Sequence, residues 1–205
     1  AADEKYSQVL FADWTPRNLQ PHNENVEVYS NGKEVELFLN GQSLGKKEIN
    51  ADASPRNWQV PFAPGSLKAV ARDENGKVVA TDELHTAGRP AKIILTGETK
   101  QISLGYDDVA IIRATITDVN GIRIPRASDL ITFRAAGPGV IAAVDNGDNR
   151  SHESFQTNSR RAFDGKCVAF VKATAAMGEI SGACLANGLA ESRLFCSFSA
   201  HEAGS

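Results

Sequence analysis

Apolar and polar residues alternate with a period of two along most of the chain, the spacing of strands whose successive side chains point to opposite faces. Val35, Leu37 and Leu39 share one face, with Glu34 and Glu36 opposite. Asn40-Gly41 follows, then an alternating run at 43–49. Asn-Gly readily takes the positive φ angles of a type I′ turn, so these two runs predict a hairpin. The pattern recurs at 67–72, Asn75-Gly76 and 77–80, while Gly32, Pro61, Pro64 and Gly65 punctuate the intervals. No segment carries a helical stripe, and strands of this length at this spacing predict a sandwich.

A second set begins with Lys92-Ile93-Ile94-Leu95. A long strand follows, with Ile112, Ala114 and Ile116 on one face, and it ends at Asn120-Gly121. Further strands are expected at 130–133, 140–144, 166–172, 179–185 and 193–198, with Asn187-Gly188 turning the last two into a hairpin. About seven strands in ~110 residues is the size of an immunoglobulin-like sandwich. Gly88-Arg89-Pro90 interrupts the pattern between the sets. The expected organisation is therefore all-β, with two tandem immunoglobulin-like β-sandwich domains at 1–88, with an N-terminal arm, and 89–205. The halves do not read as repeats of each other. Residues 145–161 are polar and lack alternation, so they read as a loop, and loops of that length in compact domains are often functional. Residues 200–205 are expected to fray.

Composition narrows the function classes. Hydrophobic residues at 41% can supply a core, and a net charge of −3 with mixed signs offers no basic stripe. Binding to nucleic acid through released counterions would need one, so that partner is disfavoured. No apolar stretch approaches the ~20 residues of a membrane span. The chain opens Ala1-Ala2-Asp3-Glu4 and its single methionine is Met177, so a processed protein or an excised piece of a longer one is expected, and the missing signal is silent about the parent. Cys167, Cys184 and Cys196 each sit in an apolar run without C-x-x-C spacing. Buried thiols are the favoured reading, although an oxidising compartment would permit a Cys184–Cys196 bridge. His22, His85, His152 and His201 are scattered, which disfavours a zinc site. No G-x-S-x-G elbow suggests a serine nucleophile, and no cofactor is indicated.

The densest polar cluster is Asp145-Asn146-Gly147-Asp148 with His152 and Glu153. Asp145, Asp148 and Glu153 could offer oxygens to Ca²⁺, or form a polar rim reaching a carbohydrate. The competing reading, favoured because the spacing fits no EF-hand, is a loop whose Asx side chains cap their own turns. Trp14 and Trp58 could stack on sugar rings. Trp58 alternates with Val60 and is expected inside the first sandwich, and Trp14 in the arm would cover a sheet face or pack on a missing domain.

Val26-Glu27-Val28-Tyr29-Ser30-Asn31 and Glu34-Val35-Glu36-Leu37-Phe38-Leu39-Asn40-Gly41-Gln42-Ser43-Leu44-Gly45 resemble a module that follows the catalytic barrel in family 2 β-galactosidases, where V-x-V-Y-[ST]-N precedes E-V-E-L-F-L-N-G-x-S-L-G. The likeness continues through Trp58-Gln59-Val60-Pro61-Phe62, Pro64-Gly65, Leu67-Lys68-Ala69-Val70 and Thr81-Asp82-Glu83. The second half resembles the next domain of those enzymes, through Asn146-Gly147-Asp148, Ser151-His152-Glu153-Ser154-Phe155, Ser159-Arg160-Arg161-Ala162-Phe163 and Gly165-Lys166-Cys167. It runs from about Val26 to Phe198; in 1–25 only Asp13-Trp14 falls near a Trp-containing approach segment.

The resemblance implies a bacterial parent, periplasmic or secreted, that hydrolyses β-glycosides, most often β-galactosides, with two glutamates in a barrel. A (β/α)₈ barrel takes about 250 residues and alternates strands with helices. Retaining chemistry needs two carboxyl groups ~5 Å apart. Neither length nor pattern is available, so no catalytic residue carries over. The expected role is accessory: buttressing the barrel, the cleft rim or an oligomer of unspecified order, with the parent's catalytic domain as partner. Two alternatives stand beside it. An autonomous carbohydrate-binding module would need exposed aromatics, which 7% aromatic residues supply thinly. A cell-surface immunoglobulin-like spacer or adhesin would need tandem repeats and an anchor in the parent.

Overall fold

The computed structural model describes residues 12–97, 101–104, 108–175, 179–186, 189 and 192–202, and none of them is helical. The chain divides into two compact units, Ala1–Thr86 and Ala87–Ser205, two residues before the boundary read from the glycine-proline break.

The first unit carries β1 (Asn23–Val28), β2 (Glu34–Leu39), β3 (Gln42–Glu48), β4 (Arg56–Pro61), β5 (Ser66–Arg72) and β6 (Val78–His85). One antiparallel sheet has the order β3-β2-β5-β6, and β1 pairs with β4 in a second. Alternation decides what goes inside. Val35 and Leu37 of β2 face Trp58 and Val60 of β4, and Leu67 and Ala71 of β5 complete the layer with Phe62 and Trp14. The two-stranded sheet is narrow, and the arm helps to cover the wider one. Trp14 is 3% exposed, donates Nε1–H to the Ala63 carbonyl at 3.1 Å, and tilts against Phe62 with centroids 5.3 Å apart.

The second unit contains β7 (Lys92–Gly97), β8 (Gln101–Leu104), β9 (Ala110–Thr117), β10 (Leu130–Ala136), β11 (Gly139–Asp145), β12 (Ser159–Arg161), β13 (Lys166–Ala173), β14 (Glu179–Ala186) and β15 (Ser192–Glu202). Its sheets have the orders β12-β10-β14-β15-β8 and β11-β13-β9-β7. Ile131, Phe133, Ile180 and Cys184 from the first pack with Ile93, Ile112, Ile116, Ala169 and Val171 from the second. The layers approach closely at Gly182, where a Cβ would lie 2.3 Å from Ile112 Cδ1.

Several expectations change. Residues 200–202 do not fray: Ala200, His201 and Glu202 extend β15 and pair in parallel with Ile102, Ser103 and Leu104 of β8. That pairing joins segments a hundred residues apart, which no local pattern encodes. The 145–161 loop is shorter than read, because Asp145 closes β11 and 159–161 form β12 on β10. Asn40-Gly41 has φ 50° and 81°, as a type I′ turn requires. At Asn75-Gly76 and Asn120-Gly121 only the glycine is left-handed. Both are three-residue connections built by the preceding aspartate. Asp73 Oδ1 accepts from Asn75 and Lys77 N–H, and Asp118 Oδ1 accepts from Asn120 and Ile122 N–H. Asn187-Gly188 and Met177 lie outside the described residues. Cys184 is a buried free thiol. It pairs with Ser192 in register, four residues from Cys196, which at ~3.4 Å per residue exceeds the reach of a disulfide.

Candidate functional site

The polar stretch after β11 is organised by one side chain. Arg160 sits on β12 between outward-facing Ser159 and Arg161, so its own side chain points inward, and it is 0% exposed. A buried guanidinium must be bonded and neutralised. Nη1 donates to the Glu153 carbonyl at 2.6 Å and Nη2 to Asn146 Oδ1 at 3.3 Å. Asp145 Oδ1 and Glu153 Oε2 each lie 3.7 Å from guanidinium nitrogens, and the Phe155 ring stacks on it at 4.7 Å. Four residues of the polar stretch, Asp145, Asn146, Glu153 and Phe155, thus converge on one internal cation. Backbone bonds anchor the loop at both ends: Val144 N–H donates to Phe155 O, and Phe133 N–H to Asn158 O.

The acidic groups are occupied accordingly. Asp145 Oδ1 accepts from the N–H of Asn146 and Gly147. Asn146 Oδ1 accepts from Asp148 N–H, and Asp148 Oδ1 accepts from both Arg150 N–H and Arg150 Nε–H at 3.1 Å. The Arg150 side chain, then its backbone N–H, holds the Asp148 carboxyl below its ordinary pKa against the opposing effect of desolvation. Asp145, Asp148 and Glu153 were the Ca²⁺ candidates. Their oxygens satisfy turn donors and Arg160, and among the described residues no group of three His, Cys, Asp or Glu side chains is gathered as a metal cage.

Trp14 and Trp58, the candidate sugar platforms, are 3% and 6% exposed. Indoles enclosed in this way offer no face to a sugar ring; both serve the first core, with the Lys47 ammonium 5.0 Å above the Trp58 ring. Among the described residues the exposed aromatics include Tyr29, Phe155 and Phe163. His22 contacts Glu24 and His85 contacts Glu83, while His152 is exposed on the loop. Burial raises the Cys167 and Cys184 thiols to about 12, so neither is a poised nucleophile.

Sequence reading missed one buried arginine. Arg56 shares the inward face of β4 with Trp58 and Val60 and is 2% exposed. It donates to the carbonyls of Glu48, Ser30 and Gly32, tying the end of β3 and the β1–β2 connection to β4. The available signal was a charged residue in phase with the apolar face, the same signal that marks Arg160.

Residues 93–194 match the glycoside hydrolase family 2 C-terminal domain 5, and residues 23–80 match a domain of unknown function (DUF4982). The chain belongs with the C-terminal domains of glycoside hydrolase family 2. It is 38% identical over 163 residues to Beta-galactosidase BoGH2A of Bacteroides ovatus, covering 78% of this chain and 18% of that protein. A family 2 glycosyl hydrolase from Bacteroides cellulosilyticus superposes with a TM-score of 0.85 at 34% identity, over 93% of this chain and 24% of the other. A β-glycosidase from Bacteroides vulgatus gives 0.84 at 33% identity, over 90% and 24%. The chain spans less than a fifth of Beta-galactosidase BoGH2A.

Proposed function

We propose that the chain is the non-catalytic accessory region of a bacterial family 2 glycoside hydrolase, with a parent that acts on β-galactosides. It buttresses the barrel, cleft rim or oligomer of that enzyme, and the parent is periplasmic or secreted. The observation that carries this reading is coverage: at least nine-tenths of the all-β chain aligns with about a quarter of solved family members, and residues 93–194 match a C-terminal domain of the family. The described site fits it. Its carboxylates are committed to an internal arginine and to turn N–H groups, which makes them structural acceptors rather than a proton donor and nucleophile facing a cleft.

The test is an assay of the purified chain on chromogenic β-galactosides beside the full-length parent and a parent truncated before this region. The isolated chain is expected to match a mock-purified control. Truncation is expected to lower the melting temperature of the parent. Turnover by the isolated chain, or a truncated parent as stable as the whole, contradicts the reading. We further propose that the two units fold independently, so that 1–88 and 89–205 expressed separately each show a cooperative transition.

A further inference from the structure

The second unit carries an apolar and cationic patch that its own fold leaves open. In the β10–β12 pair, Leu130 lies opposite Arg161, so the two side chains share the outer face of the sheet. Leu130 is 47% exposed, and Phe163, two residues beyond Arg161 in the connection to β13, is 40% exposed. The Arg150 guanidinium lies over the Phe163 ring at 5.8 Å. Arg150 is itself 76% exposed and held by Asp148 at 3.1 Å, and Arg161 gives an N–H to the Ser128 carbonyl. A phenylalanine and two arginines beside an exposed leucine match the aromatic and arginine enrichment of protein interfaces. The patch is also preorganised. The Arg160 network sets the backbone between Asp145 and Arg161, so little ordering remains to oppose association.

We propose that the Leu130–Arg161–Phe163–Arg150 patch is a docking surface for the remainder of the parent polypeptide. This rests on the accessory reading above. What argues for this occupant is the amount of chain outside the structure. About three quarters of each solved relative lies beyond the part this chain covers, and a linked partner meets its surface at high effective concentration. The facing surface should be apolar with acidic groups, able to receive Phe163 and to pair with Arg161.

The test compares one variant in two settings. Phe163→Ser with Arg161→Glu is made in the isolated chain and in the full-length parent, and each is followed by calorimetry and limited proteolysis. Because both residues are exposed, the isolated variant is expected to melt within about 2 °C of its wild type, as surface changes usually do. In the full-length parent the variant is expected to lower the transition of this region by several degrees and to raise its cleavage rate at least threefold. A full-length variant indistinguishable from wild type, while truncation of the whole region does destabilise the parent, overturns the patch but leaves the accessory role standing. Concentration-dependent dimers of the isolated chain that the variant abolishes would assign the patch to a second copy and also overturn the proposal. Loss of retention on a galactan affinity gel, with the full-length melt unchanged, would assign it to carbohydrate and overturn it equally.

Discussion

Replacing Arg160 by methionine separates the work of the guanidinium from the space it fills. Methionine refills most of the volume with an adaptable apolar chain, so the cavity contribution is small. What is lost is polar. The 2.6 Å bond to the Glu153 carbonyl is charge-assisted and worth ~1.5–3 kcal/mol. The 3.3 Å bond to Asn146 adds ~1 kcal/mol, and the Phe155 stack at 4.7 Å about another. The two ion pairs count for less. Asp145 and Glu153 are 39% and 37% exposed, so both carboxylates regain water when the cation goes. A loss of about 3–5 kcal/mol follows, against a typical domain stability of ~5–15. The unit holds about 120 residues, for which 1 kcal/mol moves the midpoint by ~4 °C. Its calorimetric transition should fall by roughly 12–20 °C, with the first unit as an internal reference. Arg160→Lys keeps the charge but not the planar fork, and should fall in between. A midpoint within ~3 °C of wild type in the methionine variant would show that the loop holds itself without the arginine.

Three further outcomes follow from the same structure. The second unit's melting temperature should be indifferent to EDTA and to added Ca²⁺, because the candidate carboxylates are engaged; a site filled at a hundredfold over its Kd would add ~2.7 kcal/mol and is excluded by a flat titration. His22 places Nδ1 2.7 Å from the Gln20 carbonyl and Nε2 2.6 Å from Glu24, both acceptors, so the doubly protonated ring is the one that satisfies both. The carbonyl first and the carboxylate second raise its pKa above 6.5. Its contribution is therefore complete below about pH 6.5 and lost as pH rises through the folded value; an NMR titration of His22 with a midpoint at or under 6.5 contradicts this. In a Cys196→Ser background, Cys167 and Cys184 should resist a thiol reagent at about pH 8 until denaturant is added, and labelling of the native protein within minutes would refute their burial.

The strands were legible wherever one face is buried and the other wet. Val35 and Leu37 in β2, and Ile112, Ala114 and Ile116 in β9, alternate because each sheet has one dry side. The edges were not legible. β8 has four residues and β12 three, too short for a period to register, and each is specified by a distant partner. The turns were located by Asn-Gly, but the type I′ geometry of Asn40-Gly41 does not extend to Asn75-Gly76 or Asn120-Gly121. At positions 73 and 118 the deciding residue is the aspartate three before the glycine, whose carboxylate draws two backbone N–H groups inward. Burial opposes the charge on Asp118, yet bonds from Gly88, Ile122 and Asn120 outweigh it and lower its pKa.

The acidic residues that cluster in the loop raise a Ca²⁺ site as one reading, and a loop whose Asx side chains cap their own turns is the favoured one. Asp145 and Glu153 do face a cation, but it is supplied by the chain, at an inward position of the neighbouring strand. A divalent ion would need six or more oxygens converging within ~2.6 Å; the Arg160 guanidinium has two bonds through Nη1 and Nη2, two carboxylates at longer range and an aromatic ring, and its buried Nε has no hydrogen-bond partner. The two solutions draw on the same residue types in sequence, and the arginine's phase distinguishes them. Arg160 precedes buried Ala162 by two, and Arg56 precedes buried Trp58 by two. A charged residue in step with a strand's apolar face is either an error of register or a buried counter-charge. In the second unit Arg160 is such a counter-charge, and in the first Arg56 instead donates to backbone carbonyls; both hold together loops that have too little apolar surface to hold themselves.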